Sequence, residues 1–302
     1  MNKTMILRIG SFFIVFLLTI TISRSLAETP KKLKVVTTIF PLAELARAIT
    51  AERGEVSLMI PASADIHHFQ LRPSDLKILT QADLLIAVGE KLEPWLTKIE
   101  KSLEKEKVQS LKFLDYLESI GYPGLRNDDP HIWLDLEADA LLAKKIAEEL
   151  SRLDPEGTEV YRKNSQELIA EISSIDEQYR RVLSGCRQKH LVVAGHQAFA
   201  YLASRYGFIP ISLTGANPEA QPGARKLQEI VNLIKSEQIK AIFSESSSPP
   251  IYARAIAEET GAEIYTLFTG VSLSRLDIEK KKSFLEIMKD NLKTLHSALD
   301  CE

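Results

Sequence analysis

The sequence has no long hydrophobic run, no large excess of charge of one sign, and only two cysteines. Its main apolar stretch covers residues 9–22, which is shorter than the ~20 residues that a membrane-spanning helix needs. The 38 basic and 41 acidic side chains give a net charge of −3, so neither nucleic acid nor an anionic membrane is expected as a partner. Cys186 and Cys301 lie far apart in the sequence, which leaves open whether they form a disulfide or are incidental thiols.

The N-terminus has the pattern of a cleaved secretory signal peptide. Basic residues precede the apolar stretch, and small residues at positions 25 and 27 suit cleavage after Ala27. Loss of residues 1–27 would change the net charge from −3 to −6, because it removes Lys3, Arg8 and Arg24 and no acidic residue. No cysteine lies near the cleavage site to accept a lipid, so we expect a soluble periplasmic protein without a lipid anchor. An uncleaved N-terminal anchor is the alternative.

Beyond the signal peptide, short apolar runs rich in β-branched residues alternate with helical patterns. The runs predict strands at residues 33–39, 55–60, 83–89, 108–114, 191–194, 208–213, 241–244 and 263–268. The helical patterns lie at residues 41–52, 74–81, 93–106, 137–152, 197–206, 222–237, 249–260 and 279–299. This alternation predicts an α/β fold with mostly parallel sheets that are covered on both faces.

Residues 155–183 interrupt the alternation with one long helical pattern. Apolar residues such as Ile172, Ile175 and Tyr179 recur at spacings of three and four, while the other positions are polar or charged. We interpret this segment as a rigid linking helix between two α/β lobes, although a surface helix of one large domain would have the same pattern. The predicted division is a signal peptide at 1–27, an N-terminal lobe at 28–153, the linking helix at 154–185 and a C-terminal lobe at 186–302. Ligands of such sheets bind beyond the carboxyl ends of the strands, here in the cleft between the lobes.

The chain has six histidines. Some of them lie at three places that come directly after a predicted strand or in the loop that follows one. These are His67 with its neighbour His68, then His131, and His196 directly after the strand at 191–194. Imidazole suits zinc, and three imidazoles leave a fourth tetrahedral position open. A lone loop histidine is more often a surface or structural residue, which is how we interpret His190 and His296.

Two neighbouring features bear on whether these histidines bind a metal. Asp129 is held extended by the proline that follows it, so it is placed to orient His131, although an Asp-Pro pair is also common in turns. His196 is predicted to lie at the start of the helix at 197–206. The positive end of that helix would favour the neutral imidazole that a metal requires, but it would favour a structural histidine equally.

The sequence around the histidines is similar to the signature stretches of a known family, the ZnuA-like and TroA-like zinc and manganese receptors of ABC importers. The stretches are ADIHHFQLRPSD at 64–75, DPHIWLD at 129–135, and HQAFAY at 196–201 followed by Tyr206 and Gly207. The helix at 155–183 resembles the rigid interdomain helix of that family, and AIFSE at 241–245 resembles one of its later strands. The resemblance therefore covers essentially the whole mature chain.

This resemblance implies a periplasmic substrate-binding protein that captures a divalent cation. The implied ligands are His67 rather than His68, together with His131 and His196. Manganese-type members often carry glutamate at the third position, so imidazole there favours Zn²⁺ over Mn²⁺. The implied partner is an ABC permease in the inner membrane, and the receptor is expected to be a monomer that is not an enzyme.

One position departs from the family pattern. Members commonly supply an aspartate after the last strand, where this chain has Phe268 within YTLFTG at 265–270, and no His- and Asp-rich loop precedes His131. Water, Glu245 and His68 therefore remain as candidates for the fourth ligand. A manganese- or iron-type receptor and an exported adhesin with a degenerate metal site are alternative functions. A three-histidine zinc hydrolase is disfavoured because neither His-Glu-x-x-His nor Gly-x-Ser-x-Gly occurs.

Overall fold

The computed structural model describes residues 32–218, 220–246 and 249–301, so the predicted signal peptide lies outside the described residues. Two four-stranded parallel sheets follow one another along the chain, and a 27-residue helix lies between them. The predicted α/β class with two lobes and a long linking helix is therefore confirmed. No helix within the described ranges combines the length and the apolar character needed to cross a membrane.

The first sheet has the strand order β2-β1-β3-β4, and all of its pairs are parallel. Its strands are β1 (Leu33–Thr37), β2 (Gly54–Leu58), β3 (Leu84–Ala87) and β4 (Gln109–Lys112). The accompanying helices are α1 (Phe40–Thr50), α2 (Pro73–Leu79), α3 (Leu96–Lys105), α4 (Phe113–Ser119) and α5 (Leu136–Leu153). All four residues of β3 are buried, as expected for an inner strand of a sheet covered on both faces.

The long helix α6 (Thr158–Ser184) follows a short 3-10 turn at Pro155–Gly157, so it begins three residues later than predicted. It buries an apolar stripe that includes Ile172, Ile175 and Tyr179. The helix packs against α1 and α5 of the first lobe and against α11 of the second lobe. Because one hydrophobic core runs through α6 and parts of both lobes, the helix connects them as a rigid element.

The second sheet repeats the arrangement of the first, with the strand order β6-β5-β7-β8 and parallel pairing throughout. Its strands are β5 (His190–Val193), β6 (Ile209–Ser212), β7 (Ala241–Glu245) and β8 (Glu263–Leu267). The helices of this lobe are α7 (Ala200–Arg205), α8 (Ala224–Ser236), α9 (Ile251–Thr260), α10 (Arg275–Glu279) and α11 (Phe284–Ala298). Ser283 and Glu286 form a capping box that defines the start of α11.

Cys186 and Cys301 form a disulfide, which answers the question that the sequence left open. The two residues also pair in an isolated antiparallel bridge. The bond connects the end of α6 to the segment that follows α11, and it closes the C-terminal lobe at the amino end of β5.

Two short helices were not predicted. The strand expected at 108–114 ends at Lys112, and α4 begins at the next residue. The apolar residues Phe113 and Leu114 belong to that helix, and periodicity does not distinguish a strand from a helix in so short a run. The five-residue helix α10 is begun by Ser274, whose side chain accepts a hydrogen bond from the Asp277 backbone N–H.

Candidate metal centre

His67, His131 and His196 lie together between the two sheets, as their positions after the strands predict. One ring nitrogen of each lies within 4.8 Å of those of the other two. The Nε2 atoms of His131 and His196 are 3.2 Å apart. The centroid of the His67 ring is 5.4 Å from each of the other two ring centroids. Three imidazoles that converge in this way present the donor set that zinc prefers.

His67 is held by the loop that follows β2. The start of the loop continues the pairing of the sheet, because the Met59 and Ile60 backbone N–H groups donate to the carbonyl oxygens of Thr37 and Thr38. The His67 backbone N–H donates to Asp65 Oδ1 at 2.9 Å, which forms a tight turn. This turn directs the half-buried imidazole toward the other two histidines.

His131 is almost completely buried and is oriented by Asp129. Oδ1 of Asp129 lies 2.8 Å from His131 Nδ1 and also accepts the His131 backbone N–H at 3.0 Å. The ring of Trp133 packs beside the imidazole, with centroids 5.2 Å apart. Since Nδ1 contacts the carboxylate, Nε2 is the nitrogen that faces His196. The geometry of Asp129 is that of the orienting residue expected from the sequence.

His196 lies in the turn between β5 and α7, four residues before the first residue of α7. The helix begins at Ala200, so the prediction that His196 lies at a helix start is wrong. Its ring is oriented instead by Glu245, whose Oε1 is 2.6 Å from His196 Nδ1. A Cβ at Gly195 would lie only 2.9 Å from that carboxylate oxygen, so glycine makes room for it.

The two residues predicted as possible fourth ligands have different positions. Glu245 is buried and borders the cavity, but one of its oxygens already contacts the outer nitrogen of His196. His68 is not among the residues that line the cavity, its Nδ1 lies 2.7 Å from Asp65 Oδ2, and more than half of its side chain is exposed. Among the described residues, only the three histidines form a group that could hold a metal.

The residue of the 265–270 segment that faces the histidines is Thr269, not Phe268. A cavity of about 190 Å³ is lined by the three histidines, Thr269, Ser63, Asp65, Ile66, Pro218, Glu245, Val271 and Ser272. The Thr269 carbonyl accepts a hydrogen bond from Trp133 Nε1 at 2.7 Å, which fixes the backbone at this point. The Phe268 backbone N–H donates to Asn291 Oδ1, and Lys282 Nζ lies 5.1 Å from the Phe268 ring centroid. Phe268, the position expected from the family pattern to carry an acid, is not among the residues that line this cavity.

Burial keeps two of the imidazoles neutral. It lowers the pKa of His67 to about 3, and the nearby His131 and His196 rings add to this effect. Burial also lowers the pKa of His131, although the hydrogen bond to Asp129 opposes the shift. A neutral imidazole is the form that coordinates a metal, so these two side chains do not have to lose a proton at pH 7.

Two α/β lobes joined by a long helix, with three convergent histidines between them, define the class of solute-binding receptors that capture a divalent metal ion. The family model described as the periplasmic component A of the zinc-uptake complex, ZnuA, matches residues 35–298. The chain belongs to this family. The family resemblance inferred from the sequence is therefore confirmed, and so is the assignment to a zinc-binding receptor of an ABC importer.

Individual relatives agree with this assignment. The high-affinity zinc uptake system protein ZnuA of Bacillus subtilis is 31% identical over 281 residues, which cover 89% of this chain and 88% of the relative. The zinc-binding lipoprotein AdcA of Streptococcus pneumoniae strain R6 is 28% identical over 284 residues. That match covers 90% of this chain, which thus spans only 56% of the AdcA length.

Solved structures share the fold. The Zn(II)-bound ZnuA-like domain of Streptococcus pneumoniae AdcA has a TM-score of 0.77 and 28% identity, over 89% of this chain and 99% of the domain. The laminin-binding adhesin Lmb of Streptococcus agalactiae, solved as a mutant, has a TM-score of 0.79 and 30% identity. That match covers 88% of this chain and 99% of the adhesin.

Proposed function

We propose that His67, His131 and His196 bind the zinc ion that this receptor captures. The observation that carries the proposal is the convergence of three imidazole nitrogens within 4.8 Å of one another. Asp129 and Glu245, both buried, each contact the outer nitrogen of one of these rings. Two carboxylates behind the imidazoles orient the rings and offset the charge of a divalent cation in a buried site. An all-nitrogen donor set favours zinc over manganese, which prefers oxygen ligands.

The fourth coordination position is proposed to hold water. Glu245 contacts the far nitrogen of His196, and His68 is not among the residues that line the cavity, so neither is placed like the three histidines. Thr269 lines the cavity, but its hydroxyl donates to the Val271 carbonyl at 3.5 Å. A site with three protein ligands and one exchangeable position leaves the ion accessible for transfer to the next protein.

The proposed setting of the protein is the periplasm, where it acts as a monomer and delivers zinc to an ABC permease in the inner membrane. The absence of a lipid anchor stays a prediction, since relatives include a lipoprotein. The domain division at 28–153, 154–185 and 186–302 is proposed on the same basis, with the lobes meeting at the metal site. We further propose that the chain has no catalytic activity, because the residues around the histidines serve to orient them.

Zinc is expected to raise the melting temperature of the mature chain after removal of bound metal with a chelator. A ligand that binds only the folded state at 100 times its dissociation constant stabilises that state by about 2.7 kcal/mol. Manganese at the same concentration should have a smaller effect, and a second chelator treatment should reverse both. Scanning calorimetry with and without each metal makes the measurement. No shift with any divalent cation would contradict a metal-receptor function.

Adhesion is a second candidate function, since the similar structure of Lmb is that of a laminin-binding adhesin. If this chain also binds an extracellular protein such as laminin, the contact would use the outer surface and not the buried histidines. Surface-immobilised laminin would then retain the wild-type chain and the His131→Ala variant equally. Loss of retention in the variant would show that this binding depends on the metal site, and no retention of either chain would exclude laminin adhesion.

Aspartate at position 269 is expected to increase zinc affinity about tenfold, which corresponds to ~1.4 kcal/mol. The Thr269→Asp variant would place a carboxylate at the cavity wall, where it can occupy the fourth coordination position. The matched control is Phe268→Asp, whose carboxylate would lie toward Lys282 and outside the cavity. Competition titration with a zinc chelator measures both variants. A gain for Phe268→Asp alone would show that the family position was assigned correctly from the sequence.

A further inference from the structure

A buried arginine connects the segments that carry two of the three histidines. Arg205 is the last residue of α7, and only 7% of its side chain is exposed. Its guanidinium contacts carboxylates from two other elements, namely Asp135 and Glu137 at the start of α5 and Asp176 in α6. We name these four residues the interlobe clamp.

The clamp joins the first lobe to the second. Arg205 Nη1 lies 3.2 Å from Asp135 Oδ1 and donates to Glu137 Oε2 at 2.6 Å. Asp135 is itself fixed, because it caps α5 by accepting the Glu137 backbone N–H and accepts the Tyr122 hydroxyl at 2.8 Å. The Asp135 carboxylate, which contacts Arg205, is therefore held in a fixed position in the first lobe.

The third carboxylate fixes the same arginine to the linking helix. Arg205 Nε and Nη2 both donate to Asp176, each at 2.7 Å, in a bidentate pair. The Tyr206 hydroxyl donates to Asp176 Oδ1 at 2.8 Å, and the Tyr206 ring stacks on Tyr179 of α6. Arg205 of the second lobe is therefore fixed both to the start of α5 in the first lobe and to the linking helix α6.

Both ends of the clamp are close in sequence to a histidine of the metal site. Asp135 comes four residues after His131, and the 3-10 turn Ile132–Leu134 fills the interval. Arg205 lies at the end of the short helix that follows His196. A second contact joins the same two segments, because the Tyr201 hydroxyl of α7 donates to the Asp129 carbonyl at 3.3 Å.

The separation of these two histidines depends on how the lobes are docked. His131 belongs to the first lobe and His196 to the second, so neither lobe alone sets the distance between their Nε2 atoms. Zinc–nitrogen bonds are about 2.0–2.1 Å long, and a site loses function when its ligands move by more than about 0.5 Å. A charged clamp beside the site fixes that distance before the ion arrives.

We propose that Arg205 is a positioning residue of the metal site, which holds His131 and His196 at the spacing that zinc requires. This inference rests on the proposed metal-binding role of the histidines. Arg205 does not line the cavity, and it acts only through α7 and the start of α5. Its loss should therefore change both metal affinity and coordination geometry, whereas a merely structural residue would change stability alone.

The chain contains a matched control for this proposal. Arg53 forms a bidentate pair with Asp154 at 2.8 and 2.9 Å, and the Tyr161 hydroxyl donates to the same carboxylate. This arrangement repeats that of Arg205, Asp176 and Tyr206, although it is somewhat more exposed. It connects the first lobe to the start of the linking helix and includes no residue near a histidine of the site.

The test compares Arg205→Met with Arg53→Met in the mature chain. Removal of an orienting partner at a metal site typically weakens metal binding about 10- to 100-fold. We expect a loss of zinc affinity in that range for Arg205→Met and less than a twofold change for Arg53→Met, by competition titration. Cobalt is also added as the only metal to each chain, and its visible absorption spectrum is compared with that of the wild type. We expect a difference only for Arg205→Met, because only there does the coordination geometry of the metal change.

Two results would overturn the proposal. One is an Arg205→Met chain that binds zinc within twofold of wild type and has an unchanged cobalt spectrum. The other is an equal loss of affinity in Arg53→Met, which would show that any weakened contact between segments affects the site. If Arg205→Met does not fold, Asp176→Asn gives the same test with the guanidinium still present. Wild-type protein that binds no zinc would refute the proposed function itself. This result differs from both results above, so failure of the proposed function is distinguishable from failure of the positioning role of Arg205.

Discussion

Replacement of His131 by alanine is expected to weaken zinc binding by about 100- to 1000-fold. Protein sites that bind zinc tightly contribute roughly 10–16 kcal/mol from their four ligands, so one ligand accounts for roughly 2.5–4 kcal/mol. Each 1.4 kcal/mol is a factor of about ten in affinity. His131 is the most deeply buried of the three histidines, and Asp129 would be left behind without its partner.

The measurement is a competition titration of the metal-free protein against a chelator of known zinc affinity. His190→Ala is the matched control, because His190 is at the start of β5 and its backbone N–H donates to Gln188 Oε1, outside the cavity. His68→Ala tests one of the fourth-ligand candidates and should change the affinity only slightly. Circular dichroism establishes that each variant is folded. An affinity for His131→Ala within tenfold of wild type would mean that zinc binds elsewhere.

Much of the fold was predictable because its signals are local. Strands such as β3 are wholly apolar, and helices such as α6 carry a regular apolar stripe over many turns. The boundaries were less accurate where one element passes directly into another, as at Lys112 and Phe113. There the chain changes from an edge strand to a helix without an intervening glycine or proline.

The histidines were predictable for a different reason. Parallel sheets bring the carboxyl ends of their strands to one edge, so residues that follow different strands are expected to lie close together. The residues behind the histidines depend on contacts that are distant in the sequence. Glu245 contacts a ring 49 positions earlier, and Trp133 fixes the backbone of Thr269 from the other lobe. No local pattern indicates such pairs, so the sequence did not show that Glu245 contacts His196 or that Thr269 lines the cavity.

Loss of the disulfide between Cys186 and Cys301 is expected to lower the free energy of unfolding by about 4–5 kcal/mol, the value that the chain-entropy model gives for a loop of roughly 100 residues. The bridge joins residues 115 positions apart, so it restricts a large part of the unfolded chain. The matched variant is the double substitution Cys186→Ala with Cys301→Ala, which leaves no free thiol. Urea unfolding of the metal-free protein makes the measurement, and wild type in a reducing buffer should behave like the variant.

Zinc affinity should remain within about threefold of wild type in the same double variant, a difference below 1 kcal/mol. The bridge lies at the amino end of β5, because Cys186 comes four residues before His190, whereas the metal site follows the carboxyl end of that strand. The covalent bond therefore closes one end of the sheet, whereas the histidine cluster lies at the other end. A large loss of affinity in the double variant would show that the ends are coupled. A loss of stability below about 1 kcal/mol would mean instead that the unfolded chain is already compact near the two cysteines.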